Sequence, residues 1–317
     1  MMLAAVSSSD ATKVHADWPS VPVVSEPKHL FNDPNIDLIV IPTPNDTHFP
    51  LAKAALEAGK HVIVDKPFTV TLSQARELDA LAKGLGRLLS VFHNRRWDSD
   101  FLTVKTLLSE GTLGEILFFE SHFDRFRPQV RNRWREQAGP GSGIWYDLAP
   151  HLLDQAVNLF GLPVSMTVDL AQLRPGAQTT DYFHAVLSYP QRRIVLHGTM
   201  VAAAESARYI IHGTRGSYVK FGLDPQEDRL KNGERLPQED WGYDMRDGVV
   251  TRVEGEELVE ETLLTMPGNY PAYYAAIRDA LNGSGENPVP ASQAIQIMEL
   301  IELGIESAKH RATLCLA

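Results

Sequence analysis

Apolar positions follow two different patterns along the chain. In the first third, short runs that are mostly apolar throughout, Leu3 to Val6, Val21 to Val24, Asp37 to Ile41, His61 to Val64 and Leu88 to Phe92, alternate with segments of helical periodicity. Runs apolar on both faces suit strands of a parallel sheet covered by helices. Leu51, Ala54, Ala55 and Ala58 mark the inner face of a helix over Phe49 to Ala58, which Gly59 ends. Thr71-Leu72-Ser73-Gln74 has the form of a capping box, so another helix starts there and ends before Gly84 and Gly86.

After Asp98 the pattern changes. One amphipathic helix to Glu110 is followed by long runs over Glu115 to Phe126, Val164 to Leu173, Phe183 to Tyr189, Arg193 to Ala202, Ala207 to His212, Tyr218 to Phe221 and Glu257 to Leu263. Such runs predict a mainly antiparallel sheet. Helices are expected over Leu148 to Phe160, Asn269 to Leu281 and Ser292 to His310. The expected organisation is an α/β domain over 1–97 and an α+β domain over 98–317, since 317 residues exceed what one hydrophobic core usually serves.

Composition narrows the function. With 44% hydrophobic and 22% charged residues the chain is of globular type, and no apolar run approaches the roughly 20 residues that span a bilayer. Met1 to Val6 is short, lacks a basic flank and runs into Ser7, Ser8 and Ser9, unlike a secretory signal. The one cysteine, Cys315, allows no internal disulfide, and a cytoplasmic location is expected. A net charge of -10 argues against nucleic-acid binding. Five arginines, Arg125, Arg127, Arg131, Arg133 and Arg135, stand against that charge. They form either a solvated crossing loop or a surface that meets an anionic substrate or a cofactor phosphate.

An α/β domain of this pattern suggests dinucleotide binding, which normally begins with a strand, a G-x-G-x-x-G turn and a helix receiving the pyrophosphate. No glycine precedes Gly59. Leu3 to Val6 therefore takes the place of the second strand, and the expectation is that about 30 residues, the first strand, turn and helix, are missing. Either the chain starts at an internal methionine or it has discarded the turn, and in both cases cofactor binding is expected to be impaired.

Three segments carry candidate chemistry. Pro42-Thr43-Pro44-Asn45-Asp46-Thr47-His48 follows a strand, where open α/β sheets hold ligands, although one of Asn45, Asp46 and Thr47 should also cap the next helix. Asp65-Lys66-Pro67 ends the next strand and brings a lysine to the same sheet edge, where partial burial would lower its pKa and fit it for proton exchange. Asp147 and His151 stand four apart and so share a helix face, where the carboxylate can orient the imidazole. The structural alternative makes Asp147 an N-cap and His151 a packed side chain.

Together with His93-Asn94-Arg95-Arg96-Trp97 and Trp134-Arg135, these segments resemble the Gfo/Idh/MocA oxidoreductases, in order and spacing over nearly the whole chain. The resemblance implies a Rossmann-like domain, incomplete here, and a domain with an open-faced, mainly antiparallel sheet used for homodimer or larger homo-oligomer contacts. It also implies NAD or NADP and hydride transfer to or from a sugar, cyclitol or related polyol. Lys66, His151 and Asp147 would be catalytic, the last two also touching substrate with Asn94 and Arg95. Ser7, Ser8, Pro42, Thr43, Pro44, Asn45, His48, Asp65, Pro67, Trp134 and Arg135 would line the cofactor. Ser7 and Ser8 stand where an acidic residue would bind the ribose hydroxyls, which leans to NADP.

Two rival readings remain: a cofactor-free binding or regulatory relative, and a sugar isomerase using His122, His151 and His184 as metal ligands. The histidines are scattered, with no spacing such as H-x-x-x-H, so no metal is expected.

Overall fold

The computed structural model describes residues 1–236 and 239–316. Two compact units emerge, Met1–Phe92 with Ala275–Met298, and His93–Tyr274 with Glu299–Ala317.

The first unit begins with β1 (Val6–Ser7), α1 (Ala11–Asp17), β2 (Val23–Val24) and α2 (Pro27–Phe31). Then come β3 (Leu38–Ile41), α3 (Asn45–Glu57), β4 (His61–Asp65), α4 (Leu72–Gly84) and β5 (Leu89–Phe92). All strand pairs here are parallel, β1 with β2 and β3-β4-β5 in order. The first strand is shorter and later than the apolar run Leu3 to Val6 suggests. Met1, Met2 and Leu3 are exposed, and only Val6 and Ser7 find partners, in Val23 and Val24. Val62, Ile63 and Val64 are wholly buried, as a strand covered on both faces requires. The capping box is present: Thr71 Oγ1 accepts from the Gln74 amide and Gln74 Oε1 from the Thr71 amide, each at 3.3 Å. α1 was not expected; Asp10 nucleates it by accepting from the Thr12 and Lys13 amides.

The second unit continues with α5 (Ser99–Ser109), β6 (Ile116–His122), α6 (Ile144–Asp147), α7 (Ala149–Phe160), β7 (Ser165–Ala171), β8 (Tyr182–Ser188) and β9 (Arg193–Thr199). These lead to β10 (Ala207–Gly213), β11 (Gly216–Phe221), α8 (Gln226–Lys231), β12 (Gly248–Glu254) and β13 (Glu257–Leu263). The chain ends with α9 (Pro271–Leu281), α10 (Ala291–His310) and β14 (Leu314–Cys315). Nine strands form one sheet in the order β13-β12-β11-β10-β6-β9-β8-β7-β14. Every pair is antiparallel except β6 with β9. Phe183, Ala185 and Leu187 of β8 are wholly buried, whereas Tyr182, His184 and Val186 between them are half-buried, so one face packs and the other is more open. β12 escapes the sequence pattern because it lies near the sheet edge, where only Gly248 and Val250 are buried. Among the described residues, no helix is long and apolar enough to cross a membrane.

Candidate active site

In the first unit, the loops after β3 and β4 lie at the same end of a parallel sheet, which is where open α/β folds present ligand groups. The ring of His48 ties them together, with Nδ1 2.9 Å from Pro67 O and Nε2 2.9 Å from Thr43 O. Fully buried and spent on two backbone carbonyls, His48 shapes the loops and presents no surface to a ligand. None of Asn45, Asp46 and Thr47 is the N-cap: that position is Pro44, without a side-chain bond, and Thr47 Oγ1 donates back to Pro44 O at 2.7 Å. Thr43 and Thr47 share a hydroxyl contact of 2.6 Å, Asn45 is buried in the first turn, and Pro42 and Pro44 are exposed. Asp65 accepts from the Lys66 amide at 2.8 Å, and half-buried Lys66 precedes Pro67 through a cis peptide bond.

At the end of β1, Ser7 pairs with Val24, and Ser8 Oγ accepts from the Asp10 amide at 3.1 Å. The loops after β3 and β4 offer a lysine and backbone groups suited to a ribose and nicotinamide, and a glycine turn for pyrophosphate is not among the residues before Gly59.

The second unit holds the acid and the histidine. Asp147 and His151 do not share one continuous helix: α6 ends at Asp147, Leu148 intervenes, and α7 starts at Ala149. The N-cap of α7 is Leu148, with no side-chain cap bond, so the capping alternative for Asp147 is corrected too. Asp147 instead faces Arg135, whose Nε lies 3.4 Å from its Oδ1. His151 is 5% exposed and stacks on Phe123 with centroids 6.3 Å apart.

Phe123 is flanked by guanidiniums, Arg95 at 4.7 Å and Arg125 at 5.0 Å from its centroid. Arg95 is held by Asp98 at 2.9 Å and by Glu227, and is 5% exposed. It therefore braces the turn over Asn94–Trp97, and Asn94 is half-buried. Arg125 is different. Burial lowers its pKa, and Asp147 opposes that shift. Of the other arginines, Arg133 is paired with Glu136 at 2.7 Å, and Arg135 lies over the Trp134 ring at 4.4 Å.

Several positioning residues have partners that the sequence does not reveal. Arg96 makes a two-point pair with Asp154 of α7, Nε to Oδ2 at 2.8 Å and NH2 to Oδ1 at 2.6 Å. Gln155 Nε2 donates to Arg95 O at 2.9 Å, while Arg208 and Tyr209 donate to its Oε1. Buried Glu136 gathers the arginine loop by accepting from the Arg131 amide and Arg133 and by pairing with Arg174 at 3.1 Å. The distant partners among these lie up to 60 residues apart, so only the fold joins them.

Two family models match. The oxidoreductase family's NAD-binding Rossmann fold covers residues 2–93, and its C-terminal alpha/beta domain covers 105–316. The chain belongs to the Gfo/Idh/MocA oxidoreductase family. It is 89% identical over 315 residues to the uncharacterized oxidoreductase YdgJ of Escherichia coli K12, covering 99% of this chain and 91% of that protein. It is 38% identical to the scyllo-inositol 2-dehydrogenase (NADP(+)) IolW of Bacillus subtilis, covering 98% and 87%. A solved structure of the Yersinia pestis protein YPO2259 is 70% identical with a TM-score of 0.96, covering 100% of this chain and 90% of that one. The NAD-binding model falls on the first unit and most of the C-terminal model on the second, although Ala275–Met298, within the C-terminal model, groups with the first unit; a nicotinamide cofactor is the family's redox group.

Proposed function

We propose that this oxidoreductase moves a hydride between NADP or NAD and a secondary hydroxyl of a sugar, cyclitol or related polyol. The observation that carries this reading is the state of Asp147 and His151. A carboxylate relieved of helix capping and a buried histidine stacked on an aromatic ring lie in adjoining helices, beside a loop rich in guanidiniums. An NADP-linked inositol dehydrogenase that matches 98% of the chain supports it.

The nucleotide, when bound, supplies the hydride acceptor or donor. Lys66 is assigned a hydrogen bond to the reacting oxygen, and His151 takes the hydroxyl proton on oxidation and returns it on reduction. Asp147 offers an acceptor to a neighbouring substrate hydroxyl, and Arg125 a donor. Pro42, Thr43, Pro44, Asn45, Asp65, Pro67, Trp134 and Arg135 are assigned to the nucleotide and Asn94 to the substrate. NADP is favoured because Ser7 and Ser8 end β1 and the nearby Asp10 carboxylate is engaged in capping α1. Homo-oligomer contacts are assigned to the open face of the nine-stranded sheet, and a reducing, cytoplasmic setting accords with exposed, unpaired Cys315.

The test is reduction of NADP+ and NAD+, followed by absorbance, with scyllo-inositol and a panel of other polyols. Turnover with at least one is expected. His151→Ala should lower kcat by about 10²–10⁴-fold while leaving nucleotide binding in place. No turnover with any polyol, together with no quenching of tryptophan fluorescence by either reduced nucleotide, would overturn the assignment.

A further inference from the structure

The more open face of the nine-stranded sheet gathers a second set of chemical groups. Register aligns Asp169 with His184, His184 with His197, and His197 with His122 across β7, β8, β9 and β6. The His122 and His197 rings lie 5.0 Å apart, and those of His184 and His197 5.8 Å apart. Asp124, just past β6, reaches both of the first two: Oδ2 is 3.0 Å from His122 Nδ1, and Oδ1 is 3.5 Å from His197 Nδ1. One ligand atom from each of His122, Asp124 and His197 lies within 4.8 Å of the other two. His151 is on the other side of this chain segment with Phe123, so the histidines expected together from sequence are not the ones that meet.

The hydrogen bonding of this cluster is incomplete without a further positive charge. His122 Nε2 is 2.7 Å from Glu120 Oε1 and its Nδ1 is 3.0 Å from Asp124 Oδ2, both carboxylate oxygens that only accept, so a neutral ring satisfies one of them, as when the proton sits on Nε2. In a neutral His122 the Nδ1 lone pair then faces Asp124 Oδ2, acceptor against acceptor. Asp124 Oδ1 and His197 Nδ1 are buried without a hydrogen-bond partner. The missing charge is either a second proton on His122 or a cation shared by all three groups. A tetrahedral zinc with ligands at about 2.0–2.1 Å sets them about 3.3 Å apart; here Asp124 approaches His122 at 3.0 Å through Oδ2 and His197 at 3.5 Å through Oδ1, and the three ligand atoms already lie within 4.8 Å of one another, so a small turn of the carboxylate closes the site. Glu120 stands in the place of the carboxylate that orients a metal-bound imidazole.

We propose that His122, Asp124 and His197 form a binding site for a divalent transition metal, zinc being the best match to two imidazoles and one carboxylate, with Glu120 as the positioning residue. The site is separate from His151 and the proposed redox chemistry. It cross-links β6 and β9, the parallel pair in an otherwise antiparallel sheet.

Zinc is titrated against a chromophoric chelator into the metal-stripped full chain, into His197→Ala and into Glu120→Gln. One zinc per chain is expected, lost in His197→Ala and held about 10–100-fold more weakly in Glu120→Gln. Circular dichroism melts establish that the variants fold. Cobalt(II) added to the unmodified chain gives a second readout, the intense visible bands of four-coordinate cobalt. Equal zinc affinity in the parent and His197→Ala overturns the proposal, as does an unmodified chain that takes up neither zinc nor four-coordinate cobalt. The cluster would then hold only a proton.

Discussion

Asp154 is the point at which the helix carrying His151 can be loosened without touching the histidine. Its carboxylate is 3% exposed and receives two bonds from Arg96, itself 11% exposed. Burial alone would raise its pKa, but the neighbouring His93 and Arg96 hold it below the usual carboxylate range. Asp154→Ala leaves the Arg96 guanidinium buried beside a void. Breaking a buried pair from one side costs about 3–5 kcal/mol. In a unit of this size that lowers the melting temperature by about 6–20 °C, at about 2–4 °C per kcal/mol. Replacing both partners by apolar side chains removes the stranded charge, so Arg96→Met with Asp154→Leu should recover much of the loss. Chemical and thermal unfolding of the parent, the two single variants and the double variant gives the coupling energy. His151 lies one turn earlier on α7, so kcat should fall in Asp154→Ala with nucleotide affinity unchanged. The reasoning is refuted by an Asp154→Ala variant within about 1 kcal/mol of the parent, or by a double variant no more stable than either single one.

Two further expectations concern stability. His61 Nδ1 accepts the Leu88 amide at 2.9 Å, and burial, then Arg87, depresses its pKa below 6.5. A depressed histidine contributes stability above its unfolded value that is lost as pH falls through the folded one, so the melting temperature should drop on acidification below 6.5. His61→Asn should flatten that slope, and an unchanged slope would contradict the assignment. At Gly304 a methyl group would lie 2.3 Å from Cζ2 of Trp145, which is fixed by its bond to Ile301 O at 3.1 Å. Gly304→Ala should therefore cost about 1–3 kcal/mol in denaturant unfolding, and a neutral result would mean that the indole moves freely.

The elements were legible where local pattern and burial agree. β4 and β5 are largely apolar runs because both faces are covered, and the Thr71 capping box is a signal complete within four residues. Leu3 to Val6 misled because an apolar run makes a strand only where a neighbour accepts its amides, and pairing here is confined to Val6 and Ser7. Spacing suggested that Asp147 and His151 share a helix. It could not show the break at Leu148, which moves Asp147 from capping to a pairing with Arg135.

The candidate catalytic groups and the groups that hold them were therefore legible to different degrees, for a physical reason. Lys66, Asp147 and His151 stand in short motifs whose spacing is itself the signal. Arg96 with Asp154, Gln155 with Arg208, and Glu136 with Arg174 are joined only when distant segments pack, and each is a common polar residue with no local periodicity. The same holds for His122, Asp124 and His197. H-x-D on one strand is unremarkable, and a third ligand 73 residues further on means something only once β6 and β9 are in register, His122 against His197. Sequence exposes chemistry that is local, whereas burial and register decide which distant polar groups must find charge partners. Those groups include the proposed metal ligands and the Arg96–Asp154 pair that holds α7.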